Sequence, residues 1–358
     1  MTRPTGVYIE TTALVHNLNQ VKRSAPNSKV IAMVKANAYG CGLKHVVPVL
    51  EGKVYAFGVA CLEEALAIRH LGAQSHCLLF QGVFQAEEWY AVAEHRLQAV
   101  IHHRAQLESL LANPLPQVIK VWVKVDTGMH RLGFLPEEIY EILCQLEACP
   151  WVEPEIGLMT HFACADQLNN PANQSQLQIF KTLHLPDIPL LKSISNSAGI
   201  LSLPMAHADV VRPGIMLYGV SPFTGQSGQS LGLRPVMHFR SAVTAIHLYP
   251  AGTPIGYGGI WTTQKISRIG VVAVGYGDGY PRHIAANTLV WIKGHKVPIV
   301  GHVSMDMLTI DLTEYPEIQV GEPVELWGRH ISIESVALAA GTIPYELLCQ
   351  FSPRILAN

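Results

Sequence analysis

The first two-thirds of the chain alternates between two hydrophobic patterns. Short, nearly continuous apolar runs recur eight times: VIAMVK (30–35), YAFGVA (55–60), CLLF (77–80), LQAVI (97–101), IKVWVKV (119–125), EIGLMTHF (155–162), LLKSIS (190–195) and ADVVR (208–212). Runs of this length predict strands buried on both faces. Between them lie segments such as CLEEALAIRHLG (61–72) and PEEIYEILCQLE (136–147), whose apolar residues recur at three- and four-residue spacing. That spacing predicts amphipathic helices. Eight strand-then-helix units predict an α/β fold of the (β/α)8 TIM-barrel type, with an open doubly wound sheet as the alternative.

The pattern changes after about residue 222. SPFTGQSGQSLGL (221–233) is rich in Gly, Ser and Gln and reads as a linker or exposed loop. Beyond it, SAVTAIHLY, RIGVVAVGY, TLVWIKGHKVPIVG and DMLTIDLT are separated by turn residues. They read as strands of a second, mainly β domain. The expected division is 1–232 for the barrel and 233–358 for the β domain.

Composition narrows the functional classes. Apolar residues make up 49% of the 358 residues, charged residues 15%, and the net charge is −2. This supports a large core and gives no basic arm for nucleic acid. No stretch reaches the ~18 apolar residues of a membrane span. The start of the chain has no apolar h-region, and seven scattered cysteines show no C-x-x-C pair. The expectation is a protein of the reducing cytoplasm without a disulfide framework, zinc knuckle or other metal site.

A barrel of this type gathers chemistry at the C-terminal ends of its strands. Those ends carry Lys35, Lys124, Asp126, His161, Asn196, Ser197 and Arg212. Taken alone, each has an ordinary reading. Lys35 could snorkel to the surface, Lys124 and Asp126 could pair, His161 could be a satisfied core residue, and Arg212 could clamp a carboxylate of the fold. A lysine closing an apolar strand would instead be partly desolvated, which favours a nucleophilic amine. Gly214 and Ile215 after Pro213, and Ser197 before Ala198-Gly199, could present N–H groups and a hydroxyl to an anion, or be plain turns. In the second domain GYGGIW (256–261), GYGDGYPR (275–282) and SMDM (304–307) set Tyr257, Tyr276 and Tyr280 beside glycines. GYGDGY lacks the spacing of a dinucleotide fingerprint, and no Walker A loop is present.

Read together, the motifs resemble the alanine racemases. VIAMVKANAYG (30–40) is similar to that family's cofactor-lysine motif. The likeness continues through VKVDTGMHRLGF (123–134), MTHFACAD (159–166), SNSAG (195–199), RPGIMLYG (212–219), PIGYGG (254–259), VGYGDGYPR (274–282) and GHVSMDM (301–307). The resemblance implies a homodimer that binds pyridoxal phosphate (PLP) and interconverts L- and D-alanine by two bases, supplying D-alanine for peptidoglycan. Lys35 matches the Schiff-base lysine and first base. Tyr257 matches the second, contributed by the partner subunit. Tyr39, Asn196, Ser197, Gly214 and Ile215 match cofactor-side positions, mainly toward the phosphate. Arg212 matches the arginine at the pyridine nitrogen, and His161 the histidine beside it. Arg131, Tyr276, Met305 and Asp306 match substrate-side positions, and Lys124 a lysine that is often carbamylated. This chain departs at Cys41, where histidine is common, at His130, where glycine is common, and at Pro353, where many relatives have a phosphate-binding tyrosine. A same-fold racemase for serine, lysine or a broader range is the alternative. A PLP-binding protein without racemase activity is another, although such proteins usually lack a second domain.

Overall fold

A computed structural model of the chain describes residues 3–352, 354 and 355. Contacts divide the chain into Val15–Leu217 and a unit formed by Met1–Leu14 with Tyr218–Asn358. In the first, strands β2 (Lys29–Met33), β3 (Ala56–Val59), β4 (His76–Leu79), β5 (Gln98–Ile101), β6 (Lys120–Lys124), β7 (Ile156–Met159), β8 (Leu190–Ser193) and β9 (Val210–Val211) form a closed barrel in chain order. All neighbours are parallel, and β9 closes onto β2. The eight expected strands are all present, each within a residue or a few of its apolar run. Every residue of β3, β5, β6 and β7 is buried, as their unbroken hydrophobicity requires. Trp122 fills part of the interior, and its Nε1 donates to Gln98 on the neighbouring strand at 2.9 Å.

The second unit contains a strand that the hydrophobic pattern did not reveal. β1 (Gly6–Ile9) pairs antiparallel with the start of β10 (Met237–Tyr249). Residues near the start of the chain therefore group by their contacts with its C-terminal part, from Tyr218 onward. The short strands β11 (Pro254–Ile255) and β12 (Trp261–Thr262) form a hairpin. β13 (Ser267–Val272), β14 (Leu289–Ile292), β15 (His295–Val300), β16 (Leu308–Asp311) and β17 (Pro323–Trp327) complete the main sheet. β17 pairs back onto β10, so the antiparallel pairings run in a ring.

Segment 221–233 is not a free linker. The N–H groups of Ser221 and Gly228 both donate to Glu334 Oε1, at 2.9 and 2.7 Å, and Ser221 and Phe223 are buried. Much of the rest of the stretch, including Thr224, Gln226, Gln229 and Ser230, is exposed, so it is a loop tied down at points rather than a free tether.

Candidate active site

The chemistry-bearing residues of the barrel occupy one continuous arc. Lys35 lies two residues beyond β2, Lys124 ends β6, His161 lies two beyond β7, Asn196 and Ser197 follow β8, and Arg212 follows β9. These five strands are consecutive neighbours, since β9 joins β2. The Met33 N–H donates to the Pro213 carbonyl at 3.0 Å, which locks the Lys35 strand end to the Arg212–Gly214 segment.

Lys35 opens an unusual piece of backbone. Ala36, Asn37, Ala38 and Tyr39 all take left-handed φ values of 51–57° before Gly40. Four such residues in succession cost about 1–2 kcal/mol each. Two side chains hold the turn. Glu64 accepts the Ala36 N–H at 2.7 Å and the Ala60 N–H at 2.8 Å, while Asn37 Oδ1 accepts the Leu43 N–H at 2.9 Å. Lys35 itself is exposed, which fits the surface reading of a lysine closing an apolar strand rather than the desolvated one. Tyr39 is buried by the same turn, its hydroxyl beside Gly214, where an added methyl would lie 2.5 Å from the phenolic oxygen.

Ser197 Oγ accepts the N–H groups of Gly214 and Met216 at 2.9 and 3.3 Å. With its lone pairs taken, the hydroxyl has its proton left to donate. Asn196 Oδ1 caps the helix Ser197–Ser202 by accepting the Gly199 N–H at 3.0 Å. Ile215 is fully buried and begins a short 3-10 turn.

Arg212 is almost wholly buried. Its guanidinium donates to Ser193 Oγ at 2.5 Å, to the carbonyls of Thr160 and Ile194 at 2.5 and 2.9 Å, and lies 3.4 Å from His161 Nδ1. No carboxylate pairs with it among the described residues, so it is not a clamp on the fold's own acids. Burial pulls its pKa down to about 10. His161 is held well below the ordinary histidine range, first by burial and then by Arg212, Lys124, Arg131 and Lys35. A neutral ring facing a guanidinium accepts at Nδ1, which leaves the proton on Nε2.

Lys124 is buried, and its pKa falls to about 8 through burial first and then the charges of Arg212, Arg131 and Lys35; Asp126 opposes the fall. Asp126 Oδ1 accepts the N–H groups of Gly128, Met129 and His130 at 2.9–3.1 Å, and its charge is outweighed at Lys124 by burial and the three cations. The loop so formed presents Arg131 at the surface. His130 has φ +54°, the left-handed backbone that makes glycine common there. Gln176, buried on the helix Pro171–Lys181, donates to Thr127 Oγ1 at 3.2 Å and to the His161 carbonyl at 3.0 Å, and accepts the Ala163 N–H. Glu64 and Gln176 escaped sequence reasoning because nothing in an amphipathic helix marks which polar residue faces a strand end.

In the other unit, the three tyrosines separate. Tyr280 is core, stacked on Trp327 with ring centres 5.9 Å apart, and burial drives its phenol pKa upward. Tyr257 stands at the tip of the β11–β12 hairpin, 69% exposed, in a turn that Gly256 and Gly258 form with φ +71°. Ile255 anchors the hairpin base by packing with Ile269 and Val300. Tyr276 is partly exposed under the Arg282 guanidinium at 5.7 Å, and Met305 and Asp306 are exposed. Cys41 is buried, and Pro353 lies outside the described residues.

The arc can hold an anion. Four cations gather round one histidine, the buried arginine offers donors to a neutral acceptor, and Ser197 and the Gly214 backbone form a cradle that a side chain would fill. An aldehyde-bearing phosphate with a pyridine nitrogen has a counterpart for each part: amine, hydroxyl cradle and guanidinium.

Known proteins match nearly the whole chain. The family model "Alanine racemase, N-terminal domain" matches residues 9–222, and "Alanine racemase, C-terminal domain" matches 236–357. Alanine racemase of Legionella pneumophila (strain Paris) is 59% identical over 355 residues, 99% of each chain. That of Shewanella woodyi is 46% identical, covering 97% of this chain and 96% of its own. Among solved structures, biosynthetic alanine racemase from Pseudomonas aeruginosa has a TM-score of 0.94 at 42% identity, covering 99% and 98% of the two chains. Alanine racemase from Acinetobacter baumannii has 0.91 at 43%, with the same coverage.

Proposed function

The chain belongs to the alanine racemase family, and from that premise we propose that it interconverts L- and D-alanine using pyridoxal phosphate held at Lys35. The observation that carries this reading is Arg212, a buried guanidinium whose recorded partners are a hydroxyl, carbonyls and a neutral histidine. Arginine does not readily give up a proton. A pyridine nitrogen facing it accepts a hydrogen bond and stays unprotonated. Decarboxylases of the same fold, which call for an acid at that place, fit less well.

When bound, the cofactor supplies an aldehyde for the amine and a ring that draws electrons from Cα. Everything else falls to the chain. Ser197, Tyr39 and the Gly214–Ile215 backbone hold the phosphate side. Lys35 moves a proton on one face of Cα, and Tyr257 moves one on the other. Two faces need two groups, because one base would return the proton where it took it. A phenol titrates near ~10 in water. The His161 Nε2–H, oriented by Arg212, lowers the cost of the phenolate. Arg131 takes the substrate carboxylate, with Tyr276, Met305 and Asp306 lining its approach. Lys124, half neutral near pH 8, is set to capture carbon dioxide, and the resulting carbamate orients Arg131.

Tyr257 is exposed at a hairpin tip, which suits a group offered to a second copy of the chain. The active form is therefore a homodimer, each copy's Tyr257 completing the other's site. The setting is the cytoplasm, where D-alanine feeds peptidoglycan synthesis; no described helix is long and apolar enough to cross a membrane.

The test is decay of circular dichroism with each L-amino acid on purified protein and PLP. Alanine should lose its signal fastest. Serine or lysine racemising while alanine stays inert would defeat the alanine reading. Borohydride reduction followed by peptide mapping should place the pyridoxyl group on Lys35, whatever the turnover.

A further inference from the structure

Tyr276, Met305 and Asp306 reach the surface, and one buried carboxylate stands behind all three. Asp278 is fully buried. Its Oδ1 accepts from Arg3 Nη1 at 2.5 Å and Arg354 Nε at 2.8 Å, and its Oδ2 from Arg3 Nη2 and the Gly275 N–H, both at 2.9 Å. The two arginines reach further. Arg3 Nη2 donates to the Asp306 carbonyl at 2.9 Å, and Arg354 Nη1 pairs with Asp306 Oδ1 at 2.9 Å.

The main chain is tied at the same place. The Tyr276 N–H donates to Ser304 O at 3.0 Å and the Gly277 N–H to Met305 O at 2.9 Å. This fit explains the glycine spacing. A methyl on Gly275 would lie 2.2 Å from Ser304 O, and one on Gly277 would lie 2.8 Å from the Arg354 guanidinium. The group carries two arginines and two aspartates, so it is neutral as it stands, and losing any one of the four leaves a net charge.

We propose that the Arg3–Asp278–Arg354–Asp306 network is a positioning device for the carboxylate of the substrate. It rests on the substrate-side reading of Tyr276, Met305 and Asp306 given above. Asp278 fixes the turn that bears Tyr276. Arg3 and Arg354 clamp Met305–Asp306 against it. Arg354 also cancels the charge of Asp306, which would otherwise repel an incoming carboxylate. Two side chains drawn from opposite ends of the described chain thereby act on substrate binding without touching the substrate.

The test uses the holoenzyme with Arg354→Gln, Arg354→Lys, Arg3→Gln and the double variant Arg354→Gln/Asp306→Asn. Four quantities are read: KM and kcat for L-alanine, the inhibition constant of propionate, and bound cofactor. Arg354→Gln should raise KM and the propionate constant together by about tenfold, the scale of one like-charge repulsion in partly screened surroundings. Bound cofactor should not change. Arg354→Lys should recover part of the loss, and removing the Asp306 charge in the double variant should recover most of it. Arg3→Gln should shift both constants in the same direction. Should Arg354→Gln fail to fold, Asp306→Asn alone must tighten propionate. Folded Arg354 and Arg3 variants with both constants unchanged, or a fall in kcat alone, would overturn the proposal. If the parent protein leaves alanine untouched yet the variants still weaken propionate, the network stands and the alanine reading falls.

Discussion

Replacing Lys124 with methionine removes a charge that the barrel end holds against its preference. The lysine pKa falls from an ordinary 10.5 to about 8, chiefly by burial and then through Arg212, Arg131 and Lys35. At ~1.36 kcal/mol per tenfold, the protonated amine is disfavoured in the folded protein by ~3 kcal/mol. The folded state binds fewer protons than the unfolded state between about pH 8 and 10.5. Stability therefore rises with pH through that window, and below it the full penalty is felt. Methionine fills a similar volume without the charge. Lys124→Met should thus be more stable than the parent by ~3 kcal/mol at pH 7 and by less than ~1 kcal/mol at pH 10. Urea unfolding in carbonate-free buffer, at one protein concentration and followed by tryptophan fluorescence, to which Trp122 on the same strand contributes, reads the difference. The same gap at both pH values, or a less stable variant at pH 7, would refute the reasoning. Adding bicarbonate to the parent should recover stability and yield a mass gain of one carbon dioxide on Lys124, because the shift leaves ~300-fold more neutral amine at pH 7 than an ordinary lysine has.

Three further outcomes follow from the same geometry. Gly214→Ala places a methyl 2.5 Å from Tyr39 Oη and should weaken PLP binding by about tenfold or more, measured by titrating apoprotein absorbance. Tyr257→Phe should keep its cofactor but exchange the Cα proton of only one alanine enantiomer with deuterated water; exchange of both at parental rates would remove Tyr257 from proton transfer. His161, held neutral by burial and nearby cations, binds fewer protons folded than unfolded below about pH 6.5. Stability should therefore fall as pH drops through that range, and His161→Gln should flatten the urea midpoint between pH 7 and 5.

Hydrophobic pattern carried the barrel because its strands are buried on both faces, which writes an unbroken apolar run for each. It missed β1 because Gly6–Ile9 is four residues long and half exposed, with a partner more than two hundred residues away. Lys35, His161 and Arg212 were legible because each ends an apolar run, a local signal. Their supports were not. Glu64, Gln176 and Asp278 act through contacts fixed by tertiary packing; the first two sit among similar polar residues of a helix, and the third has partners in distant parts of the sequence. The apolar run before Lys35 left both a surface and a desolvated reading open, and the exposed side chain fits the first; no local pattern predicts the four left-handed residues that follow it, none of them glycine.

The charge of the barrel arc ties these observations together. Lys35, Lys124, Arg131 and Arg212 all act on His161 in the same direction, and Asp126 only partly offsets them at Lys124. Such an arrangement is unfavourable until anions arrive. A phosphate, a carbamate on Lys124 and a substrate carboxylate would each answer one part of the imbalance. The first two would remain through turnover, whereas the third would come and go. PLP should therefore stabilise the barrel unit beyond what its contact area alone would give, and the gain should shrink with added salt. Thermal melts of apo and holo protein across a salt series decide the point: a cofactor-induced shift indifferent to ionic strength would mean that packing, not charge, is what binding relieves.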